Sequence, residues 1–207
     1  MFDLDGTLIS AAERQSCLMK AIAGRYGINL DADVYWRLKR AGDGNVDALL
    51  GMGVDLTTAR RLHLAWLRDV ESPYWLSFDS VFEDTVSSLE VLVLKGASLH
   101  LVTARRDSSL MVYQIQRLGI FRYFRSINCV SPERAVEEKR GVILGKKGIV
   151  LVGDSEIDFK AAQVSGCEFH AVSTGQRSSS FLSRLGGAAV WSSLTGCISR
   201  IADEYHG

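Results

Sequence analysis

Beyond Pro73, short apolar segments of the chain alternate with amphipathic helical segments. The pattern predicts a helix over residues 81–94, then strands at residues 98–102, 126–130, 148–152 and 168–172 with helices between them. Such alternation is typical of a parallel sheet that is covered by helices on both faces. We therefore expect an α/β fold with a doubly wound parallel sheet, in which ligands bind beyond the carboxyl ends of the strands.

Two aspartates follow a short apolar run at the start of the chain. Asp3 and Asp5 lie in the sequence FDLDGT at residues 2–7, and residues i and i+2 of a strand point to the same face. Like charges at this separation resist joint ionisation unless a cation lies between them or one takes a proton. The pattern favours an oxygen-rich Mg²⁺ site, although a strand-end turn without chemistry would also fit it. The first strand is either short or begins upstream of Met1.

A long helical segment follows this motif. Helical periodicity runs through residues 10–76, which is too long for a crossover connection and too short for a large independent domain. We expect a core domain of residues 1–9 and 77–207, and a helical cap domain of residues 10–76.

Further polar residues stand at or near the predicted strand ends. Thr103 ends one apolar strand, and Asp154 ends another, with Asp158 four residues later. Lys139 lies on the helix that precedes the second of these strands. Because ligands bind beyond the carboxyl ends of parallel strands, we expect Asp3, Thr103 and Asp154 to lie close together.

The order and spacing of these features resemble the four motifs of the haloacid dehalogenase-like (HAD) hydrolase superfamily, and the helical insertion is similar to that superfamily's C1 cap. The resemblance covers the whole chain and is nearest to the phosphoglycolate phosphatase and β-phosphoglucomutase branch. It implies a Rossmann-like core and Mg²⁺-dependent chemistry through an aspartyl-phosphate. A dehalogenase is disfavoured, because that branch lacks the second acid, which is Asp5 here.

The resemblance also implies a role for each matching residue. Asp3 would be the nucleophile, and Asp5 would protonate the leaving oxygen and then deprotonate the attacking water. Thr103 and the backbone amide of Ala104 would bind phosphoryl oxygens, and Lys139 would supply positive charge. The metal site would comprise Asp3, the backbone carbonyl of Asp5, Asp154 and Asp158. Asp158 would either hold a metal-bound water or orient Lys139.

Simpler structural explanations exist for several of these residues. Thr103 could cap the turn that follows it, and Asp154 could be the N-cap residue of a helix. Asp158 could be an acid in the first helical turn, where the helix dipole favours negative charge. Lys146 competes with Lys139 as the site lysine, although it fits the solvated end of its helix better.

Three functions are compatible with the motifs. They are a phosphatase acting on a small phosphorylated metabolite, a phosphomutase of the β-phosphoglucomutase type, and a non-catalytic binding protein. The insertion is rich in apolar residues, and its basic residues Arg37, Lys39 and Arg40 suit one small anion better than a sugar bisphosphate, which favours hydrolysis. Arg105 and Arg106 could also touch substrate, although loop arginines are usually solvated.

Composition narrows the choice of partners and compartment. Lys plus Arg and Asp plus Glu each number 24, so we expect neither a nucleic acid nor a membrane surface as partner. No apolar run reaches the roughly 18 residues of a membrane span, and no signal peptide is recognisable. The 4 cysteines are scattered, as expected for reduced thiols in a cytoplasmic protein. The oligomeric state, monomer or homodimer, is left open.

Overall fold

Helices and strands alternate along most of the chain, and the computed structural model describes residues 1–204. The last three residues of the predicted core domain, 205–207, lie outside the described residues. None of the helices in the described part combines the length and the apolar composition that a membrane span requires. In chain order the elements are β1 (Ile9–Ser10), α1 (Ala12–Gly24), α2 (Ala32–Ala41), α3 (Asn45–Gly51), α4 (Leu56–Asp69), α5 (Pro73–Leu76), β2 (Ser80–Val81), α6 (Thr85–Leu94), β3 (His100–Ala104), α7 (Ser108–Arg117), β4 (Ser126–Val130), α8 (Ala135–Ile143), β5 (Val150–Gly153), α9 (Glu156–Ser165), β6 (Glu168–Val172), α10 (Ser179–Leu182), β7 (Ala189–Trp191) and α11 (Leu194–Glu204).

Residues 1–3 occupy the centre of the main sheet. Phe2 pairs in parallel with both Leu101 of β3 and Val152 of β5. Its backbone N–H donates to His100 O at 2.8 Å, and the N–H of Asp3 donates to Val152 O at 2.9 Å. On the outer sides β3 pairs with β4, β5 with β6, and β6 with β7, all in parallel. The spatial order is therefore β4, β3, residues 1–3, β5, β6, β7.

Successive residues of the central strands pack on opposite faces of this sheet. Leu101 and Val152 belong to an apolar cluster with side chains of α6, α7 and α11. Val102 and Leu151 belong to a second cluster with side chains of α8 and α9. Helices thus cover both faces, which explains why these strands read as continuous apolar runs. The predicted doubly wound, Rossmann-like α/β fold is confirmed.

The helices α1 to α5, residues 12–76, are called the helical region below. They surround their own apolar cluster, which includes Leu18, Tyr35, Leu49 and Leu62. The chain enters the helical region after β1 and leaves it before β2, and these two short strands pair antiparallel with each other, with Ile9 opposite Val81.

Two sequence-based boundaries are wrong. The helix predicted from residue 81 begins at Thr85, because Val81 pairs with Ile9 instead. Local periodicity does not report a pairing between segments so far apart in the chain. The strand predicted at residues 98–102 is β3, which starts two residues later and contains Thr103.

Candidate active site

The predicted site residues meet at the carboxyl ends of the central strands. All of them line one cavity of about 240 Å³, which the helical region covers on one side: Asp3, Asp5, Thr103, Ala104, Lys139, Asp154 and Asp158. A larger cavity of about 540 Å³ lies at the amino-terminal ends of β3 and β5 and contains none of these residues. The motifs therefore predicted the correct neighbours, and the chemical role of each residue stays a prediction.

Four of these residues form a buried group, called the acidic cluster: Asp3, Asp154, Asp158 and Lys139. Each carboxylate offers one oxygen, and these oxygens lie within 4.8 Å of one another. Lys139 Nζ donates to Asp3 Oδ1 at 2.6 Å and to Asp158 Oδ1 at 2.5 Å. Three carboxylates thus face one ammonium group.

The crowding of negative charge in the acidic cluster shifts the pKa values of its residues. Burial, aided by repulsion from Asp158, raises the pKa of Asp3 to about 7, although Lys139 opposes the shift. Burial and repulsion from Asp3 and Asp158 hold the pKa of Asp154 well above its ordinary value. For Lys139, attraction to Asp158 and Asp3 outweighs the effect of burial, so its pKa is raised. One lysine does not balance the three carboxylates.

The donor chemistry of the acidic cluster fits a hard divalent cation. All three carboxylates are buried and offer oxygen ligands, which Mg²⁺ prefers. A dication would also relieve the repulsion that raises these pKa values. The Asp5 carboxylate lies outside the cluster because arginines bind it, so its predicted part in a metal site rests on its backbone carbonyl.

The start of α9 positions two of the acids. Asp154 directly follows β5, and the N-cap residue is Ser155, whose Oγ accepts from Asp158 N–H at 3.4 Å. The alternative that Asp154 is the N-cap is therefore wrong. Asp158 lies in the first turn of α9, which agrees with the simpler explanation given for it above. Ser155 Oγ donates to Asp158 Oδ2 at 2.6 Å. The first turn thus holds the Asp158 carboxylate against Lys139.

The loop after β6, residues 173–177, touches the acidic cluster through its backbone. Gln176 N–H donates to Asp154 Oδ2 at 2.5 Å. Gly6, at φ 81°, and Gly175 pack against each other beside Asp154, and a Cβ on either would collide with the Asp154 carboxylate. This loop was missed in the sequence because its contribution is an amide N–H, which any residue type supplies.

Asp5 belongs to a second group, called the arginine cluster: Asp5, Arg14, Asp79, Arg105 and Gln114. Arg14 Nη2 and Arg105 Nη2 each donate to Asp5 Oδ1 at 2.7 Å, and Arg105 Nε lies 2.6 Å from Oδ2. Behind them, Asp79 accepts from Arg14 Nε at 2.9 Å and from Gln114 Nε2 at 2.7 Å. Two guanidinium groups thus face two carboxylates.

The two acids of the arginine cluster respond differently to this environment. Burial alone would raise the pKa of Asp5, but attraction to Arg105 and Arg14 outweighs it, and the pKa lies below its ordinary value. Burial raises the pKa of Asp79 to about 6, against the opposing effect of Arg14. The Asp5 side chain is 23% exposed and reaches the cavity, so an ionised carboxylate faces the space where substrate would lie.

Sequence reasoning missed most of the arginine cluster. The expectation that Arg105 is a solvated loop residue is wrong, since only 4% of it is exposed. Asp79 is a lone charge in the apolar stretch of residues 76–82, and a buried acid of this kind is rarely unpaired. That signal could have shown that Asp79 pairs with an arginine, but not which arginine.

The basic residues predicted to meet substrate are engaged elsewhere. Lys39 is buried and its Nζ donates to Asn45 Oδ1 at 2.8 Å. Arg40 donates to backbone carbonyls of the loop after β6, including Ser173 O at 2.7 Å and Gly175 O at 2.5 Å. Neither residue lines the cavity, so the expectation that they contact substrate is wrong. Arg40 instead ties the helical region to the loop that holds Asp154.

The structure also decides which lysine lies at the site. Lys139 contacts the acids, whereas Lys146 follows the end of α8, is exposed, and its Nζ donates to Val142 O in the last turn of that helix. The N-cap residue of α7 is Asp107, whose carboxylate accepts from Ser109 and Leu110 N–H.

Comparison with known proteins agrees with this geometry. The family model described as haloacid dehalogenase-like hydrolase matches residues 1–172. The chain belongs to this family. A phosphoglycolate phosphatase of Pectobacterium atrosepticum is 28% identical over 190 residues, covering 80% of this chain and 76% of that protein. One of Yersinia pseudotuberculosis is 26% identical with the same coverage.

A solved structure shares the fold at lower identity. It is a hydrolase of the haloacid dehalogenase-like family from Streptococcus pneumoniae. The TM-score is 0.76 at 17% identity, and the match covers 97% of this chain and 96% of that one. The likeness over nearly the full length includes the helical region as well as the sheet.

Proposed function

We propose that the protein is a Mg²⁺-dependent phosphatase that hydrolyses a small phosphorylated metabolite through an aspartyl-phosphate on Asp3. The observation that carries this proposal is the acidic cluster, in which the Asp3 carboxylate lies at a strand end between Lys139 and two further acids. Family membership and the phosphoglycolate phosphatases among the relatives support the same activity. A carboxylate nucleophile divides a difficult transfer into two easier steps.

Each residue of the cavity has a defined task in this reaction. The Asp3 oxygen attacks phosphorus, the bond from phosphorus to the alcohol oxygen of the substrate breaks, and that oxygen takes the proton of a protonated Asp5. Lys139 neutralises charge on the transferred group. Thr103 and the Ala104 amide orient the phosphoryl oxygens. The Asp5 carboxylate, held ionised by its arginines, then takes the proton of the water that cleaves the aspartyl-phosphate.

The metal site would comprise Asp3, Asp154, Asp158 and the backbone carbonyl of Asp5. A bound Mg²⁺ would neutralise the charge of the acids and of the phosphoryl group. Gln176 N–H, which bonds Asp154 Oδ2, would orient that ligand.

Hydrolysis is favoured over phosphomutase chemistry by the state of the arginines. Arg14, Arg105 and Arg106 line the cavity, and each is already paired with a carboxylate of the protein: Asp5 and Asp79 for Arg14, Asp5 for Arg105, and Glu133 for Arg106. A sugar bisphosphate would need a second cationic subsite, and these arginines do not offer one. The preference for hydrolysis therefore rests on these paired arginines and no longer on Arg37, Lys39 and Arg40.

The experiment that tests this proposal measures phosphate and isomers together. The protein is incubated with Mg²⁺ and a set of phosphorylated metabolites, including phosphoglycolate and hexose phosphates with a catalytic amount of bisphosphate. Release of inorganic phosphate is expected, with a labelled aspartyl-phosphate trapped on Asp3 in a rapid acid quench. Isomer formation without phosphate release would establish the mutase, and absence of both reactions would favour a binding protein.

We also propose that residues 10–76 form a separate cap domain, that the protein is cytoplasmic, and that it acts as a monomer or homodimer. The separate apolar cluster of the helical region supports the first of these. Limited proteolysis near β1 and β2 should release the helical region as one fragment if the division is correct.

A further inference from the structure

Asp79 lies at the base of the helical region, next to the point where the chain returns to the sheet. Arg14 lies near the other crossing, in the first turn of α1. The two side chains meet, with Arg14 Nε donating to Asp79 Oδ1 at 2.9 Å. Along the chain, the paired strands β1 and β2 lie between these residues and the main sheet. The ion pair therefore joins the outgoing and the returning segment of the helical region.

The same contacts continue to the core on one side and to the helical region on the other. Gln114 of α7 donates from Nε2 to Asp79 Oδ2 at 2.7 Å and to Leu76 O at 3.2 Å. Arg14 donates from Nη1 to Val70 O at 3.1 Å, beyond the end of α4. Asp79 is thus held by a core helix while it holds an arginine that supports the helical region.

Arg14 also connects Asp79 to the cavity. Its Nη2 donates to Asp5 Oδ1 at 2.7 Å, so one guanidinium group bonds both Asp5 and Asp79. Arg14 and Asp79 are 2% and 4% exposed. Asp79 does not line the cavity, whereas Arg14 and Asp5 do. Asp79 therefore reaches the cavity through the arginines that it shares with Asp5. Arg14 is hydrogen-bonded to both carboxylates, whereas Arg105 Nη2 lies 3.8 Å from Asp79 Oδ2.

We propose that Asp79 is a positioning residue that fixes the Asp5 carboxylate through Arg14 and makes its orientation depend on the docking of the helical region. A guanidinium group bonded at three nitrogens has little rotational freedom, so it presents Nη2 to Asp5 in one direction. If the helical region moves away from the sheet, Arg14 moves with α1 and Asp5 loses one of its two arginine partners. This role rests on the proposed function, in which Asp5 activates the water.

The test compares Asp79→Asn with Glu156→Gln. Glu156 forms an ion pair with Arg177 in the core, and Arg177 in turn donates to Lys39 O of the helical region. Glu156 does not contact the arginine cluster and does not line the cavity. Asp79→Asn keeps the side-chain volume and removes the charge that holds Arg14. Turnover of p-nitrophenyl phosphate with Mg²⁺ gives kcat and KM, and hydrogen exchange of residues 10–16 and 76–81 reports the crossings.

We expect kcat of Asp79→Asn to fall roughly ten- to a hundredfold, as for other displaced catalytic groups, with KM changed less than about threefold. Asp79→Glu should restore part of kcat, because it returns the charge. Glu156→Gln should leave kcat unchanged. Exchange at both crossings should rise in Asp79→Asn and not in Glu156→Gln.

Other outcomes separate the two proposals. An inactive wild-type protein would overturn the proposed function, and the exchange data alone would then decide whether Asp79 holds the crossings. Unchanged kcat in Asp79→Asn, or an equal fall in Glu156→Gln, would overturn the positioning role. If Asp79→Asn does not fold, Gln114→Met loosens Asp79 without removing a charge, and a smaller fall in kcat at constant KM is expected.

Discussion

The acidic cluster and the arginine cluster share one cavity but differ in charge balance. In the first, three carboxylates face one lysine; in the second, two arginines face two carboxylates. The unbalanced group has raised carboxyl pKa values and can gain a cation, whereas the balanced group already satisfies its own charges. Charge balance therefore distinguishes the two clusters. The acidic cluster, with excess negative charge, would bind the metal and the phosphoryl group, whereas the arginine cluster holds the Asp5 side chain in place.

Removing the metal should have the largest effect on activity if this distinction is correct. Exhaustive chelation should reduce phosphate release to the background rate, because the acidic cluster then repels itself and the phosphoryl group. Mg²⁺ should restore the rate, without a requirement for Zn²⁺, since none of the three acids is a soft ligand. A steady-state assay before and after chelation measures this, and full activity in the chelated protein would contradict it.

Asp3→Asn should lower turnover by roughly three orders of magnitude or more, because it removes the nucleophile itself. The fold should be retained, since the substitution removes one of three mutually repelling charges. Circular dichroism checks the fold, and p-nitrophenyl phosphate hydrolysis checks the rate. Asp33→Asn, an exposed position on α2, is the control and should keep wild-type activity. Substantial turnover in folded Asp3→Asn would remove Asp3 from the nucleophile role.

Lys139→Ala should cost on the order of a hundredfold in kcat, as for other preorganised charge stabilisers. The loss follows from the position of Nζ, 2.6 Å from the Asp3 oxygen. Lys146→Ala is the matched control on a neighbouring segment and should be nearly neutral, because its ammonium group is exposed and bonds a helix-end carbonyl. The reverse ranking in the same assay would mean that the lysine of the site has been misidentified.

The smallest expected effect is on stability, and it has opposite signs for Asp3 and Asp5. Asp3, with a pKa of about 7 in the fold and near 3.8 when unfolded, binds its proton more tightly in the native state. The metal-free protein should therefore lose stability as pH rises from about 4 to about 7, by on the order of 4 kcal/mol. The lowered pKa of Asp5 acts the other way, since its stabilisation is lost only as pH falls below its ordinary range.

Thermal unfolding in chelator at pH 5 and pH 8 measures this difference. Asp3 favours a higher Tm at pH 5, and Asp79, with a pKa of about 6, acts in the same direction over part of the range. The buried Met1 amino group, whose pKa burial lowers to about 5, acts in the opposite direction. Asp3→Asn should reduce the difference, and Mg²⁺ should raise Tm most at pH 8. An equal pH response in wild type and Asp3→Asn would show that Asp3 is not the source.

The sequence predicted the acidic cluster well and the arginine cluster poorly, for a physical reason. Asp3 and Asp154 follow apolar runs at strand ends, and parallel topology brings strand ends together without further information. Arg14, Asp79 and Gln114 meet only because helices from separate segments dock in one orientation. Their partners lie 65 and 35 positions away in the chain, and no local period encodes such a docking.

The same limit explains the incorrect expectations for the basic residues. Arg37, Lys39 and Arg40 look alike in the sequence, yet Lys39 points into the helical region and Arg40 reaches backbone carbonyls after β6. Which side of α2 faces the cavity depends on how the helix packs on its neighbours. A charge run in the sequence therefore indicated the helix but not the role of its side chains.

The wall that α4 contributes to the cavity has a consequence for how substrate preference could change. Trp66 and Leu67 line the cavity from this helix, and Val70 directly follows it, whereas the loop after β6 meets Asp154 with its backbone. Substitutions along this wall could alter the shape available to a substrate and leave the acids in place. Directed evolution towards a new substrate should therefore accumulate its changes on α4 and spare residues 173–177.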